Sequence, residues 1–268
     1  MTPPSLAGRT RKGRTMKIVV IGGTGLIGSK VVTKLRDQGH EVLPAAPNTG
    51  VDTLTGAGLD EALTGADVVV DVSNSPSFAD DPVMNFFRTS TTNILAAEKK
   101  AGVGHHVALS VVGTDRLQDS GYFRAKQAQE DLIKNSGQPY SIVHATQFFE
   151  FVGGIADEAT HGDTVRLSNA LIQPMASEDV ATTVARTAVG SPTNTTTEVA
   201  GPEQFGVDEF VTKAFAVRND PRTVTTDPEA RYWGVLLEKD TLLPGPGAQL
   251  GTTRFEDWLP LNPPPAKK

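Results

Sequence analysis

Three side chains in the middle of the chain have the types and spacing for acid–base chemistry. Tyr122 and Lys126 stand four residues apart in a run with helical periodicity, so the phenol and the ammonium share one helix face. A phenol near pKa 10 is a weak acid or base at neutral pH, and a nearby ammonium is expected to lower that pKa. Ser110, at the end of the preceding predicted strand, is placed to hydrogen-bond a carbonyl or carbinol oxygen beside the phenol.

A glycine-rich turn near the amino terminus predicts a dinucleotide site. The β-branched run 18–21 is typical of a strand buried on both faces, and helical periodicity follows at residues 31–35. Between them lies the pattern G-x-x-G-x-x-G. Glycines let the backbone approach a pyrophosphate, and a helix N-terminus offers free N–H groups to it. The cofactor contacts predicted here are Gly22, Gly23, Thr24, Gly25, Leu26, Ile27 and Gly28.

The end of the second predicted strand bears on the choice between NAD and NADP. An acid at this place binds the ribose 2′-hydroxyl of NAD, whereas a cation accommodates the 2′-phosphate of NADP. Residues 43–49 contain neither, and Asn48 and Thr49 are neutral hydrogen-bonding groups. We therefore expect NADP(H) to be preferred and NAD(H) to be possible. Further cofactor contacts are expected from Val72, Ser73 and Asn74, which follow another predicted strand.

The order of the predicted elements indicates an α/β fold. Strand and helix patterns alternate through the first half, which predicts a Rossmann-type, doubly wound parallel sheet. Loops after Ile21, Val72, Val112 and Ala145 are expected to line one crevice, because ligands bind at the carboxyl ends of parallel strands.

The chain divides into four predicted parts. Residues 1–15 form a disordered basic tail, 16–150 a dinucleotide-binding region, 151–259 the last sheet strands with a small, mostly helical substrate cap, and 260–268 a second disordered tail. Within the cap, Arg231 to Glu238 is expected to be helical. The basic tail is open to three interpretations: a disordered extension before Met16, a targeting or contact arm, or a vector-derived remnant.

Composition narrows the classes of function. The 268 residues suffice for one α/β domain with an appendage, and the lack of cysteine excludes disulfides, thiolate zinc sites and a cysteine nucleophile. The scattered histidines predict no metal site. No apolar run approaches the roughly 18 residues that span a bilayer, so a cytoplasmic protein is expected. Without the four basic residues of the tail the formal net charge goes from −6 to −10, which argues against a nucleic-acid surface.

A segment rich in phenylalanine follows the predicted strand at Tyr140 to Ala145. At the crevice mouth its aromatic rings would wall a substrate pocket, and its polar groups would orient the ligand. An equally weighted alternative is that the phenylalanines pack the cap onto the sheet. The substrate contacts predicted on the first interpretation are Gln147, Phe148, Phe149 and Glu150.

The glycine motif, Ser110 and the Tyr122/Lys126 pair together resemble the short-chain dehydrogenase/reductase superfamily. The stretches Phe148–Phe151 and Gly201–Glu203 are most similar to its atypical, NmrA-like NAD(P)H-binding branch, and the resemblance covers residues 17–259. It implies an NAD(P)-dependent oxidoreductase in which Tyr122 passes a proton as hydride moves and Lys126 also binds the nicotinamide ribose.

The leading hypothesis is therefore an oxidoreductase acting on a small carbonyl, enone or quinone-like compound. A protein that senses NADP(H) without turning it over is the alternative from another class. A sugar-nucleotide epimerase is less favoured, because that branch usually has a larger carboxyl-terminal domain. The expected partners are a small-molecule substrate and, as one option, a second copy of the chain in a homodimer, but neither nucleic acid nor a membrane.

Overall fold

The computed structural model describes residues 14–263 and confirms the α/β architecture. The strands are β1 Lys17–Ile21, β2 Glu41–Ala45, β3 Val68–Asp71, β4 His105–Val111, β5 Tyr140–Ala145, β6 Thr160–His161, β7 Thr164–Leu167, β8 Leu171–Ile172, β9 Thr196–Ala200, β10 Phe205–Gly206, β11 Thr223–Thr226, β12 Arg231–Tyr232, β13 Val235–Leu236 and β14 Gln249–Leu250. The helices are α1 Leu26–Asp37, α2 Leu59–Leu63, α3 Asp80–Ala101, α4 Gly121–Asn135, α5 Val152–Glu158, α6 Ser177–Val189, α7 Val207–Arg218 and α8 Phe255–Trp258.

Seven strands form one parallel sheet in the order β14-β9-β5-β4-β3-β1-β2. The chain leaves β1 toward one edge to make β2 and then returns to place β3 on the other side of β1. This reversal puts a topological switch point between β1 and β3. In open α/β sheets the ligand crevice lies there, outside the carboxyl ends of the strands.

Apolar side chains on both faces of β1 explain why the sheet is covered by helices on each side. Ile18 and Val20 belong to a buried cluster with α1 and α6, whereas Val19 and Ile21 belong to another with α2 and α3. A strand with two apolar faces must be covered twice, so the β-branched run both forms β1 and fixes the three-layer arrangement.

The carboxyl-terminal cap contains small sheets as well as helices. Helices α5, α7 and α8 share it with a three-stranded sheet, β11-β7-β6, and with the two-stranded pairs β10-β8 and β12-β13. The prediction of a helix over Arg231–Glu238 is wrong, because Tyr232 pairs with Val235 across a two-residue turn. The cap has an apolar core of its own, centred on Phe149, Phe210 and Phe255.

The predicted tails lie mostly outside the described residues, as 1–13 and 264–268 are not described. Within the described part, Arg14 forms an ion pair with Asp67 at 2.7 Å, and Leu259–Leu261 forms a short 3-10 turn. Among residues 14–263, no helix is both long enough and apolar enough to cross a membrane.

Candidate functional site

The glycine turn between β1 and α1 is packed so tightly that side chains are excluded. Gly22 has φ +76°, and a Cβ on it would lie 2.9 Å from the backbone of Ser73. A Cβ on Gly28 would lie 2.1 Å from the carbonyl oxygen of Gly22. These contacts are backbone against backbone and have no flexible side chain to move. The turn therefore requires glycine at both positions, as the sequence pattern predicted.

The N-terminus of α1 is left open by its own residues. Gly25 occupies the N-cap without a side-chain hydrogen bond, and the first turn contains no acid. The first N–H groups of an α-helix have no intrahelical acceptor, so those of Leu26 and Ile27 remain available. Since the Ile27 side chain is buried under the sheet, only its backbone can reach a ligand. The arrangement matches the one that binds pyrophosphate in dinucleotide sites.

The loop after β2 places one of its two predicted cofactor contacts toward the glycine turn. The Asn48 carbonyl oxygen accepts from the Thr24 hydroxyl at 3.3 Å, which leaves the Asn48 amide N–H groups as donors. The Thr49 hydroxyl is instead committed locally, because it accepts from the Ala46 N–H at 2.9 Å and donates to a neighbouring carbonyl oxygen. The role of the Thr49 side chain in binding the cofactor stays a prediction.

The segment after β3 lies across the switch point from the glycine turn. The Ser73 backbone lies against Gly22, and the Ser73 hydroxyl donates to buried Asp71 at 2.6 Å. Val72 packs partly on the core, and Asn74 is exposed beside them, with its side-chain oxygen accepting from the Ser75 N–H. The structure thus brings the three residues predicted here to the edge that carries the glycine turn.

Lys126 is buried beneath this edge in a polar network. Its Nζ donates to the Leu109 carbonyl at 3.0 Å and to the Gln129 side chain, whose amide in turn donates to Asp71 at 3.0 Å. Nζ also lies 4.5 Å from the centre of the Phe87 ring. Burial lowers the pKa of Lys126 to about 8, although the negative charges of Asp71 and Glu130 act in the opposite direction. The network thus supplies hydrogen-bond acceptors for the ammonium while the side chain stays buried.

Tyr122 is the second residue of α4, and its ring lies among other aromatic rings. Its ring contacts Phe78, Phe87 and Phe123 at centroid distances of 5.4, 6.1 and 5.5 Å. Burial raises the pKa of the Tyr122 phenol above its ordinary value, which is opposite to the lowering expected from a neighbouring ammonium. The cause is desolvation of the phenol, which disfavours its charged form.

Ser110 forms a hydrogen bond to a side chain of α4. Its hydroxyl donates to Glu130 at 2.6 Å, and Glu130 also accepts from His144 and Lys134. Burial alone would raise the pKa of Glu130, but these hydrogen bonds outweigh it and lower the pKa to about 2. Glu130 lies eight residues beyond Tyr122, or roughly 12 Å along a helix. The Ser110 hydroxyl is thus held by Glu130, and its hydrogen bond to a substrate oxygen beside the phenol stays a prediction.

The four residues predicted to contact substrate after β5 have different surroundings. Gln147 is buried, and its side-chain oxygen has no partner among the described residues. Phe148 is half-buried and stacks on exposed Phe151 at 5.3 Å. An unpartnered buried oxygen at the carboxyl end of β5 suits a ligand contact, so Gln147 keeps its predicted role as a proposal.

The other two residues of that group stabilise the fold. Phe149 is 1% exposed and packs on Phe255 and Trp258 in the cap core, so its ring does not line an open pocket. Glu150 accepts from the Ser177 N–H at 3.2 Å and from the Ser177 hydroxyl, which caps the N-terminus of α6. The alternative of cap packing is correct for Phe149, and the carboxylate of Glu150 is committed to a helix end.

Several site residues escaped the sequence analysis. Gln129 lies three positions after Lys126 on the same helix face, which is a signal for their contact. Asp71 is the one acid of strand β3 and stands at its carboxyl end, a position that indicates a role at the ligand edge of the sheet. No sequence pattern predicted the contact between Phe78 and Trp233, because it forms only where the cap packs on the sheet domain.

The region that contains the glycine turn and Lys126 matches a known protein family. A family model described as NAD(P)H-binding matches residues 22–189, which include the glycine turn, Lys126 and α6. The chain belongs to the NAD(P)H-binding family. The resemblance stated from the sequence is thereby confirmed at the level of family and fold, and the cofactor class is a nicotinamide dinucleotide.

Relatives of this NAD(P)H-binding protein include reductases and an assembly factor. It is 31% identical over 144 residues to (4-alkanoyl-5-oxo-2,5-dihydrofuran-3-yl)methyl phosphate reductase of Streptomyces griseus, covering 49% of this chain and 48% of that protein. It is 23% identical over 214 residues to the photosystem II assembly factor Ycf39 of a Synechocystis species, covering 73% and 66%. The matched stretch thus spans about half the length of the first relative and under two thirds of the second.

A solved structure confirms the fold across nearly the whole chain. The dTDP-4-dehydrorhamnose reductase of Clostridium acetobutylicum superposes with a TM-score of 0.69 at 16% identity, covering 92% of this chain and 98% of that one. At this identity the likeness concerns the fold alone.

The geometry of the NAD(P)H-binding protein fits the cofactor class. Side chains are excluded at Gly22 and Gly28, so the backbone can approach a pyrophosphate, and the uncapped start of α1 points donors and a positive dipole end at it. The Asn48 amide lies next to Thr24, where the adenine ribose would be held.

The buried ammonium makes stability depend on pH. Lys126 has a pKa of about 8 in the folded protein and an ordinary value of 10.5, so between these pH values unfolding takes up a proton. Stability from this group therefore rises with pH across that window. The quantity to compare is the melting temperature of the wild type minus that of Lys126→Met. We expect this difference to be larger at pH 10 than at pH 8.

Thermal melts at both pH values, with Lys99→Met as the control for loss of a positive charge, measure this effect. A difference between wild type and Lys126→Met that does not change with pH would contradict the lowered pKa.

Proposed function

We propose that the protein is an NAD(P)H-dependent reductase of a small carbonyl, enone or quinone-type compound, with NADP(H) as the preferred cofactor. The observation that carries this proposal is the sharing of one sheet edge by the glycine turn and the segment at Ser73, with Lys126 directly beneath. Its relative in Streptomyces griseus is named a reductase, which supports the same reaction class.

In this proposal Tyr122 is the proton donor. NAD(P)H supplies a hydride to the substrate when bound, and the reduced substrate oxygen must gain a proton. Burial raises the pKa of the Tyr122 phenol, so the phenol is protonated at neutral pH but is a weaker acid than usual. It can still donate in this proposal, because the alkoxide that develops on the reduced substrate is a stronger base than the phenolate. Three phenylalanine rings surround the Tyr122 ring. These conditions favour reduction of a carbonyl over oxidation of an alcohol.

Lys126 has a supporting role in this proposal. The hydrogen bonds to Leu109 and Gln129 fix the ammonium beneath the crevice, and Asp71 holds Gln129 in place. The resemblance to short-chain dehydrogenases implies that Lys126 also contacts the nicotinamide ribose. A buried positive charge at this depth would stabilise negative charge that develops on the substrate oxygen.

A second candidate is a regulatory protein that binds NADP(H) without turnover. Two observations favour it: Lys126 is bonded to Leu109 and Gln129, and Ser110 is bonded to Glu130, so each has a structural partner. The relative in Synechocystis is named an assembly factor, which is a function other than catalysis.

A cofactor-oxidation assay discriminates the two candidates. The purified protein is mixed with NADPH, or separately with NADH, and a panel of carbonyls, enones and quinones, and loss of reduced cofactor is followed. We expect turnover of at least one panel class, with tighter binding of NADPH than of NADH. Tight NADPH binding without oxidation by any member would favour the regulator, and tighter NADH binding would refute the cofactor preference.

A further inference from the structure

An aromatic pair joins the sheet domain to the cap next to Tyr122. Phe78 lies between β3 and α3, and Trp233 lies in the β12-β13 hairpin of the cap. The Phe78 ring contacts Trp233 at 6.1 Å with 29° between the planes and contacts Tyr122 at 5.4 Å. Phe78 is 55% exposed and Trp233 is 45% exposed, so much of both rings faces solvent.

Trp233 occupies a backbone position that does not suit a large aromatic residue. It has φ +48°, and the following Gly234 has φ +83°. Since Tyr232 pairs with Val235, these two residues form a two-residue hairpin turn with positive φ at both central positions. Such turns favour asparagine or aspartate first and glycine second. A bulky side chain with positive φ is strained, and strain of this kind concentrates at ligand-binding sites.

Burial does not explain why tryptophan is placed at this turn, because nearly half of its surface is exposed. The ring contacts Phe78 and lies edge-on to Tyr232, whose own ring packs on the cap core. A smaller polar residue would relieve the backbone strain and expose little apolar surface. The aromatic surface itself is therefore the feature that needs a function.

The pair lies close to the site described above. Ser73 touches the glycine turn at Gly22, and five residues later in the same segment Phe78 touches Tyr122. A ligand resting on Phe78 and Trp233 would thus lie between the cap and the proposed proton donor.

We propose that Phe78 and Trp233 form a stacking surface for a planar conjugated ring and so select flat aromatic or quinone-type substrates over saturated ones. The inference rests on the proposed reductase function and narrows its substrate class. Flat π systems stack favourably on exposed aromatic faces, whereas a puckered saturated ring of equal size contacts them poorly.

Calorimetric binding tests this surface without turnover. The full chain is saturated with NADP+, which cannot donate hydride, and is titrated with 1,4-naphthoquinone or with 1-decalone, its saturated counterpart in carbon frame. The chain has no cysteine, so the quinone has no thiol to alkylate. We expect naphthoquinone to bind about tenfold more tightly than decalone, from ring stacking.

Two variants assign the preference to the pair. Trp233→Asn should weaken naphthoquinone binding about tenfold while keeping or raising the melting temperature, because asparagine suits the turn. Phe78→Leu should have a similar effect on binding. Trp258→Phe is the matched control, because Trp258 is the other tryptophan of the chain and packs on the cap core. It should keep the affinity for naphthoquinone.

The outcomes separate this inference from the reductase proposal. Equal affinity for the two compounds, or a folded Trp233→Asn protein that binds naphthoquinone like the wild type, overturns the stacking surface. Ring-dependent binding without NADPH oxidation supports the surface and counts against the reductase. If saturated and flat ketones are both turned over and Trp233→Asn has no effect, the reductase is supported and the stacking surface is contradicted.

Discussion

Replacing Tyr122 with phenylalanine should lower the rate of substrate reduction by about 10²- to 10⁴-fold, the usual contribution of a general acid, and leave the dissociation constant for NADPH unchanged. The change removes one hydroxyl and keeps the ring that contacts Phe78, Phe87 and Phe123. Packing is therefore preserved, and the effect reports on the proton alone. Steady-state kinetics with the best panel substrate and a cofactor titration measure the two quantities.

The control for this variant is Tyr140→Phe, which removes a phenol from β5 at the opposite end of that strand from Gln147. It should turn over like the wild type. Retained turnover in Tyr122→Phe would rule out the phenol as proton donor. Equal losses in both variants would point to a general effect on the fold.

The parts of the site determined by local sequence could be predicted. The glycine turn depends on one strand, one turn and one helix, and each has a strong pattern: β-branched residues, spaced glycines and an apolar helix face. The Tyr122/Lys126 spacing likewise predicted that both residues lie on α4. In each case the interactions that decide the structure lie between near neighbours in the chain.

The partners of Ser110 and Lys126 depend on packing between elements and could not be predicted in the same way. A strand alternates its faces, so the sequence places Ser110 on one side of the sheet but does not say which turn of α4 it meets. The meeting point is set by how α4 docks, and it is Glu130 rather than Tyr122. The same docking brings Lys126 to the Leu109 carbonyl and places the phenol among apolar rings, where desolvation raises its pKa.

The small strands of the cap were predicted least well, because they are too short for a periodic pattern. Strand β10, for example, has two residues and is held by pairing with β8. The segment 231–238 carries apolar residues at spacings compatible with a helix, but Gly234 inside it was a signal for a turn. That misassigned segment contains Trp233, so the error in secondary structure also hid the aromatic surface.

Introducing a single methyl group at Gly28 should abolish high-affinity cofactor binding. The Cβ of Gly28→Ala would lie 2.1 Å from the Gly22 carbonyl oxygen and 2.7 Å from the Gly23 Cα, so the start of α1 must move away from the turn. The backbone donors that face the pyrophosphate would move with it. We expect the dissociation constant for NADPH to rise at least about 100-fold, equivalent to about 2.7 kcal/mol, and the protein to be destabilised by about 1–3 kcal/mol through overpacking.

Gly154→Ala is the matched substitution, since Gly154 lies in α5 and a Cβ there would meet nothing within 4 Å. Alanine favours a helix over glycine by about 0.5–1 kcal/mol, so this variant should melt at or above the wild-type temperature and bind NADPH normally. Calorimetric titration with NADPH and thermal melts of both variants give the comparison. A folded Gly28→Ala protein with wild-type affinity would mean that the cofactor phosphates are held elsewhere, and the site built around this turn would be wrong.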